Sequence, residues 1–445
     1  MRTEAWTGGQ YSLFRGALGT FVCVHFLQLL PYGAELFAAG GVLQSADLSP
    51  YIGRLPNPLS IWDSALVVTA LIGVGAMAGV ALAVGYLDRL AALAAALILA
   101  WLFQRNPLIA NPSLPLLGWL LLLHVCVPPR PFGSLSARLH GGADPQWRLP
   151  RHLYLAAWVM LALAYTHSGY TKLASPSWVA GDSIRLVLEN PLARDHGLRA
   201  LVLSTPAWCL QWLTWAVLLV ELLFAPLALL PRVRPWLWLA MLGAQFGFLT
   251  FLSFADLTAP MLLAHIIIFD PRWIARRVPL SPALVLFDGA CGFCHASVRL
   301  AAMEDQRALL RFAPLRGATA SAAAHGRTLL DQGDSIIVIA GDAQPRYKSR
   351  AVVAILERLG GLWWLLAQAL RLLPRVIGDA AYDVVGGIRY RLAGRVDQCP
   401  RPAHPRRIWA RALYTHCNEP AAPGSSTAEP DTQNLGVCEE PRHRD

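Results

Sequence analysis

The hydrophobic positions change rhythm once along this chain. Up to about residue 275 they form long runs with little polar interruption, starting near Ala17, Leu66, Ala91, Leu114, Leu153, Trp208, Trp236 and Leu257. Roughly 18 apolar residues carry a helix across the hydrocarbon core, so these runs predict about eight transmembrane helices. The last is short, and the pair around Asp88 is joined by a tight turn. Beyond Pro282 the runs shorten and alternate with charge, glycine and proline. Leu284 to Phe287, bounded by Pro282 and Gly289, predicts a buried strand, and Val298, Leu300 and Met303 give a helix over His295 to Met303. Further strands are expected at Arg311 to Ala313 and Ser335 to Ile339, with a hairpin partner at Arg346 to Lys348. Helices are expected within Ala318 to Leu330 and from an N-cap at Ser349 to just before Gly360. The second part therefore reads β-α-β-α-β-β-α.

Composition supports lipid burial. A mean hydropathy of +0.42, with 55% apolar and 15% charged residues, is too apolar for an ordinary soluble enzyme of this length. The net charge of +10 comes without a basic run interleaved with aromatics, so nucleic acid is not an expected partner. The basic excess sorts by side instead. With eight spans, Arg89, Arg130, Arg138, Arg148, Arg151, Arg232, Arg234, Arg272, Arg276 and Arg277 fall on one side, against Arg54, Arg105, Lys172, Arg185, Arg194 and Arg199 on the other. That makes the first side cytoplasmic and places everything after Arg277 there, in a bacterial-type inner membrane. The first apolar stretch holds His25 and Pro31 and leads into further spans, so it reads as a retained helix rather than a cleavable signal.

Only two of the 38 basic residues are lysines, Lys172 and Lys348. Lys172 ends the stretch Tyr165-Thr-His167-Ser-Gly-Tyr-Thr-Lys172-Leu173, which is followed by Trp178 and Gly181. Ionisable groups at membrane depth are costly unless paired or facing water, which makes Lys172 and His167 candidate site residues. The alternative is that Lys172 snorkels to the interface beside Trp178. The Ser-Gly-x-x-Lys-Leu…Trp…Gly pattern, over about residues 10 to 275, resembles the horizontally transferred transmembrane (HTTM) domain shared with vitamin K-dependent gamma-carboxylases. The closing pattern from Phe251 to Trp273 resembles it more loosely. The resemblance implies a lipid-embedded helical fold, a quinone or quinol as possible carrier, and a base at the position of Lys172. A carboxylase-like membrane enzyme is the corresponding alternative function.

The eight cysteines lack the dense spacing of a disulfide-stapled domain, and only Cys291 and Cys294 form a motif. Asp288-Gly-Ala-Cys291-Gly-Phe-Cys294 stands between the strand and the helix, which puts Cys291 at a helix N-terminus, where free N–H groups stabilise a thiolate. Cys291 is the expected nucleophile and Cys294, one turn on and more shielded, the resolving thiol. Asp288 either relays a proton for the resolving thiol or ties down the turn. Other readings are haem attachment through Cys291-x-x-Cys294-His295 and half of a zinc site, although no second ligand pair is evident; no metal is expected. Cys399 is a third redox thiol or inert packing.

The Asp288-x-x-Cys291-x-x-Cys294 motif, with Phe287-Asp-Gly289, Arg311 to Leu315, Lys348-Ser349-x-Ala351, Leu359-Gly-Gly361, Tyr382, Arg389-Tyr-Arg391 and Cys399, resembles the DCC family of thiol-disulfide oxidoreductases over about residues 283 to 410. That resemblance and the element order imply a thioredoxin-like fold, although no proline precedes the third strand. The expected fold class is thus a polytopic α-helical membrane domain followed by an α/β thioredoxin-like domain. The apolar stretch from Leu362 to Pro374 lies either on the bilayer or against the redox domain, and residues 419 to 445 read as a disordered tail. The expected function is a membrane-anchored dithiol–disulfide exchanger acting on a protein or small thiol, coupled to a quinone in the helical half. The alternative from another class is a non-catalytic scaffold or redox sensor that binds a partner or lipid.

Overall fold

A computed structural model describes residues 6–109, 111–279, 281–315, 318–323, 335–340 and 344–394. The expected tail, and Cys399, Cys417 and Cys438, lie outside them. The chain divides into two compact units: Met1–Val278 with Leu359–Leu366, and Pro279–Arg358 with Ala367–Asp445.

The first unit is helical. Its main helices are Gly8–Leu29, Ala65–Val84, Asp88–Arg105, Leu114–Val125, Arg151–Lys172, Ala207–Leu222, Arg234–Phe251 and Ala255–Ile268. Local sequence sets their ends: Thr7 and Ser64 accept backbone N–H groups as N-caps, and Gly85 closes Ala65–Val84 in the left-handed conformation, at φ 73°. Glycines let the first two helices touch backbone to backbone. A Cβ on Gly19 would stand 2.3 Å from Ala83 N, and one on Gly79 would stand 2.4 Å from Cys23 N.

Each apolar run is a helix, but the expected count of about eight spans needs correction. Among the described residues, two helical stretches are long and apolar enough to cross a membrane, Gly8–Phe37 and Ala65–Val84. A third results only if Gly197–Leu203 and Ala207–Leu222, bent by 98°, form one broken span. At a rise of about 1.5 Å per residue, Leu114–Val125 and Ala255–Ile268 fall well short of a hydrocarbon core of about 30 Å. Arg151–Lys172 and Asp88–Arg105 carry charge at both ends. Apolar sequence in these helices also serves the unit's own core, where Leu117, Leu121, Leu161 and Ile267 are fully buried. Without an even count of eight, the assignment of both ends to one side loses its premise.

The second unit is a small α/β domain. Strands β1 (Ala283–Phe287), β2 (Leu310–Pro314), β3 (Ile337–Ala340) and β4 (Arg346–Tyr347) form one sheet in the order β2-β1-β3-β4. β1 runs parallel to β2 and antiparallel to β3, and β3 is antiparallel to β4. β1 lies inside the sheet, so its residues are apolar on both faces, and Val285 and Leu286 have no exposed surface. Gly292–Glu304 links β1 to β2, and Lys348–Leu359 follows β4. That helix starts one residue before the expected cap, because Lys348 is already helical in the hydrogen-bond pattern despite a φ of 49°. β3 begins at Ile337, two residues later than expected. Of the helix expected within Ala318 to Leu330, the described part is Ala318–Ala323.

Two helices complete the described chain, Gly361–Leu372 and Arg375–Ala393. The Leu362 to Pro374 stretch is divided between the units. Leu362, Trp364 and Leu365 pack on the first unit's core, and Leu362 N donates to Gln10 Oε1 at 3.3 Å. Arg371 instead pairs with Glu357 in the second unit, at 2.8 Å.

Candidate active site

β1 delivers the chain to the site. After Phe287, Asp288 turns it: one carboxylate oxygen accepts the N–H of Ala290 at 3.0 Å. Cys291 is the N-cap of Gly292–Glu304, in extended backbone, and its sulfur accepts the N–H of Cys294 at 3.2 Å. The expected placement of a sulfur at a helix N-terminus is therefore present, and both thiols are free. Exposure runs against the expected roles. Cys291 is fully buried, whereas Cys294 is partly exposed.

The other carboxylate oxygen of Asp288 pairs with the Arg389 guanidinium at 3.1 Å and accepts a close hydrogen bond from the Tyr390 hydroxyl. The carboxylate thus ties the turn and also sits beside the dithiol. Asp288, Cys291 and Cys294 present ligand atoms within 4.8 Å of one another. Burial, and then the Cys291 sulfur, push the Cys294 thiol up, while Arg389 opposes the shift. The hydrogen bond to Asp288 pushes the Tyr390 hydroxyl up, which keeps it protonated as a donor.

Arg389 and Tyr390 belong to Arg375–Ala393, and sequence reasoning gave them no role. Their adjacency to other family-like positions was the available signal, because Tyr382, on the same helix, also reaches the sheet: its hydroxyl accepts the N–H of Ile336 at 2.8 Å, just before β3. Asp379 accepts the Ser349 hydroxyl at 2.5 Å, and Asp383 pairs with Lys348 at 2.8 Å.

The same geometry bears on the haem and zinc readings. His295 is buried, its Nε2 donates to Gly289 O at 2.7 Å, and its ring meets Phe287 edge-on. A haem-ligating imidazole needs that nitrogen. A divalent ion at the Asp288 group would have to displace the Arg389 and Tyr390 donors and sit against a guanidinium, so the donor set fits a zinc ion poorly.

In the first unit, Lys172 Nζ forms a close ion pair with Glu221, donates to Ser168 Oγ at 2.9 Å and stands 4.7 Å from the Trp178 ring centre. Gly169 permits this, since a Cβ there would lie 2.7 Å from Leu222 N and hold the two helices apart. His167 is exposed and does not join the group. Sequence reasoning missed Glu221, whose signal was an acid alone within the apolar run Trp215 to Leu223.

Residues 285–395 match the DCC1-like thiol-disulfide oxidoreductase family, so this chain carries a domain of that kind. A chloroplastic DCC family protein of Arabidopsis thaliana is 28% identical over 123 residues, which cover 26% of this chain and 67% of the plant protein. Apart from Leu359–Leu366, the matched residues lie in the second unit. No solved structure matches the chain.

Proposed function

We propose that the second unit is a thioredoxin-like dithiol–disulfide oxidoreductase in which Cys291 attacks and Cys294 resolves. The observation that carries this reading is the Cys291 sulfur at the N-cap of Gly292–Glu304, accepting the Cys294 N–H beside the Asp288–Arg389 pair. Helix-end N–H groups favour negative charge on that sulfur. The β-α-β-α-β-β-α order and the sheet order support the fold.

The Cys291 thiolate attacks one sulfur of a substrate disulfide, and the other sulfur leaves with the bonding pair and takes a proton. Cys294 then loses its proton and attacks the Cys291 sulfur, and the substrate departs as a dithiol carrying two more electrons. Two further thiols, from a small molecule or a protein dithiol, then reduce the Cys291–Cys294 disulfide back to the dithiol and leave as a disulfide. Burial and the Cys291 sulfur keep Cys294 protonated at the start. Once Cys291 is held in the mixed disulfide, its charge no longer opposes ionisation, and Asp288 is placed to receive the proton. The same steps run in reverse for a reducing substrate.

The test is the reduction potential of the Cys291/Cys294 couple in the full chain. A reversible value in the range of about −270 to −120 mV supports exchange chemistry and sets its direction. A pair that cannot be cycled in a thiol redox buffer ends the proposal.

We also propose that Gly8–Phe37 and Ala65–Val84 anchor the chain in a bacterial inner membrane. Their lengths of 30 and 20 residues and their apolar composition support the anchoring. Labelling Cys294 with a membrane-impermeant maleimide from either side tests the orientation. Coupling to a quinone rests on the Lys172–Glu221 pair, an ionisable pair suited to hold or pass a proton. Oxidising the dithiol releases two electrons and two protons, which is what reduction of a quinone to a quinol consumes. A purified chain whose dithiol no quinone oxidises removes this part alone.

A further inference from the structure

Helix Arg375–Ala393 is held to its unit in two separate places. Near its start, Gly378 packs on Ser349, where an added Cβ would meet the Ser349 Cβ at 3.2 Å; Asp379 accepts Ser349, Tyr382 meets Ile336 N, and Asp383 pairs with Lys348. Near its end, Arg389 and Tyr390 hold Asp288, and Gly394 O accepts the N–H of Gly292 at 3.2 Å. Gly386 and Gly387 lie between these anchors.

Those two glycines have no packing reason to be glycine. A Cβ on either would meet nothing within 4 Å, unlike Gly378 on the same helix. Apart from proline, glycine is the worst residue for a helix interior, and consecutive small flexible residues are where helices bend. A bend there would move Ile388 to Gly394 and leave residues 378 to 383 in place.

The mobile end would be the part that closes the site. A Cβ on Gly292 would stand 2.3 Å from Ala393 O and 3.3 Å from Gly394 O, so the helix end rests directly on the residue after Cys291. Cys291 is completely buried in this arrangement, while Cys294 keeps some exposure.

We propose that residues 388–394 form a lid over Cys291, hinged at Gly386-Gly387 and latched to Asp288 by Arg389 and Tyr390, and that a disulfide substrate reaches Cys291 only when the latch opens. The proposal rests on the dithiol reading and names its gate. Asp288 serves twice. While latched, its carboxylate is occupied by a guanidinium and a phenol, which makes it a poor proton acceptor. Opening exposes the nucleophile and frees the base in one movement, so the closed form protects the dithiol from adventitious oxidants.

The test is peptide-resolved alkylation of the reduced full-length protein with iodoacetamide, which follows Cys291 and Cys294 separately. In the unmodified chain both thiols react slowly, Cys291 because it is covered and Cys294 because it stays protonated. Arg389→Gln with Tyr390→Phe removes the latch and is expected to speed Cys291 alkylation about tenfold, with Cys294 changed much less. Gly386→Ala with Gly387→Ala stiffens the hinge without filling occupied space and is expected to slow Cys291 severalfold. Because alanine favours the helix, this second variant keeps the test decisive even if the first folds poorly. If Cys291 reacts at an unchanged rate in the stiffened chain, the lid is overturned. A Cys291–Cys294 disulfide that still forms in a dithiothreitol redox buffer confines that failure to the lid; a disulfide that never forms sinks the dithiol reading as well.

Discussion

The sulfur of Cys291 accepts the backbone N–H of Cys294 at 3.2 Å, so the resolving residue stabilises charge on its own partner before it reacts. This ordering gives the two cysteines separable phenotypes. Cys291→Ser is expected to abolish exchange. Cys294→Ser is expected to accumulate a mixed disulfide, visible as a mass increase that dithiothreitol removes. Since the Cys291 sulfur adds to burial in pushing the Cys294 thiol up, Cys291→Ser should also shift Cys294 alkylation to lower pH. An unchanged pH profile contradicts the coupling.

Gly292 is the second prediction. Its neighbour is backbone, the Ala393 carbonyl, which cannot rotate away as a side chain would. Gly292→Ala therefore has to displace the end of Arg375–Ala393, at an overpacking cost of about 1–3 kcal/mol. Hydrogen exchange should rise at Arg389 to Gly394 and stay unchanged in Val285 to Phe287. Uniform protection in the variant shows that the close approach carries no weight.

Local chemistry made half of this site readable. A strand bounded by Pro282 and Gly289, running into Cys-x-x-Cys and then helical spacing, fixes a thiol at a helix end through neighbours only a few residues apart. The other half was not readable, because Arg389 reaches Asp288 across 101 positions of the chain and no periodicity reports such a meeting. The membrane count failed for a related reason. Leu117 and Leu121 are apolar to fill the unit's own core, and a hydropathy run does not say whether lipid or protein lies beside it. Gly169 shows the same limit at short range: Ser-Gly-x-x-Lys is visible in sequence, but Glu221, which explains it, sits on another helix.

Acid should loosen the start of helix Lys348–Leu359. Hydrogen bonds from Ser349 hold the Asp379 carboxyl below its ordinary value. A group whose folded value is depressed contributes stability above its unfolded value, about 3.9 for aspartate, and loses it as pH falls through the folded one. Protection of this helix, corrected for intrinsic exchange, should therefore decline below about pH 4 in the unmodified chain. Ser349→Ala should lower protection at neutral pH and flatten that acid dependence. A variant with the original slope assigns the acid response to another group.

The Lys172–Glu221 pair separates a structural role from a chemical one. The Lys172 side chain is 19% exposed and Glu221 only 4%, so the two single deletions should be unequal. Lys172→Met strands a buried carboxylate and is expected to cost about 3 kcal/mol, whereas Glu221→Gln leaves an ammonium that keeps Ser168 and Trp178 and reaches water, at lower cost. The double variant Lys172→Met with Glu221→Leu should recover most of the loss, because two apolar side chains replace a desolvated pair. Urea unfolding in detergent measures all three. Lys172→Arg then isolates the chemistry: a guanidinium preserves the ion pair but gives up no proton near neutral pH. If quinone-dependent oxidation of the dithiol disappears in this stable variant, Lys172 handles a proton; if it persists, the lysine only joins two helices.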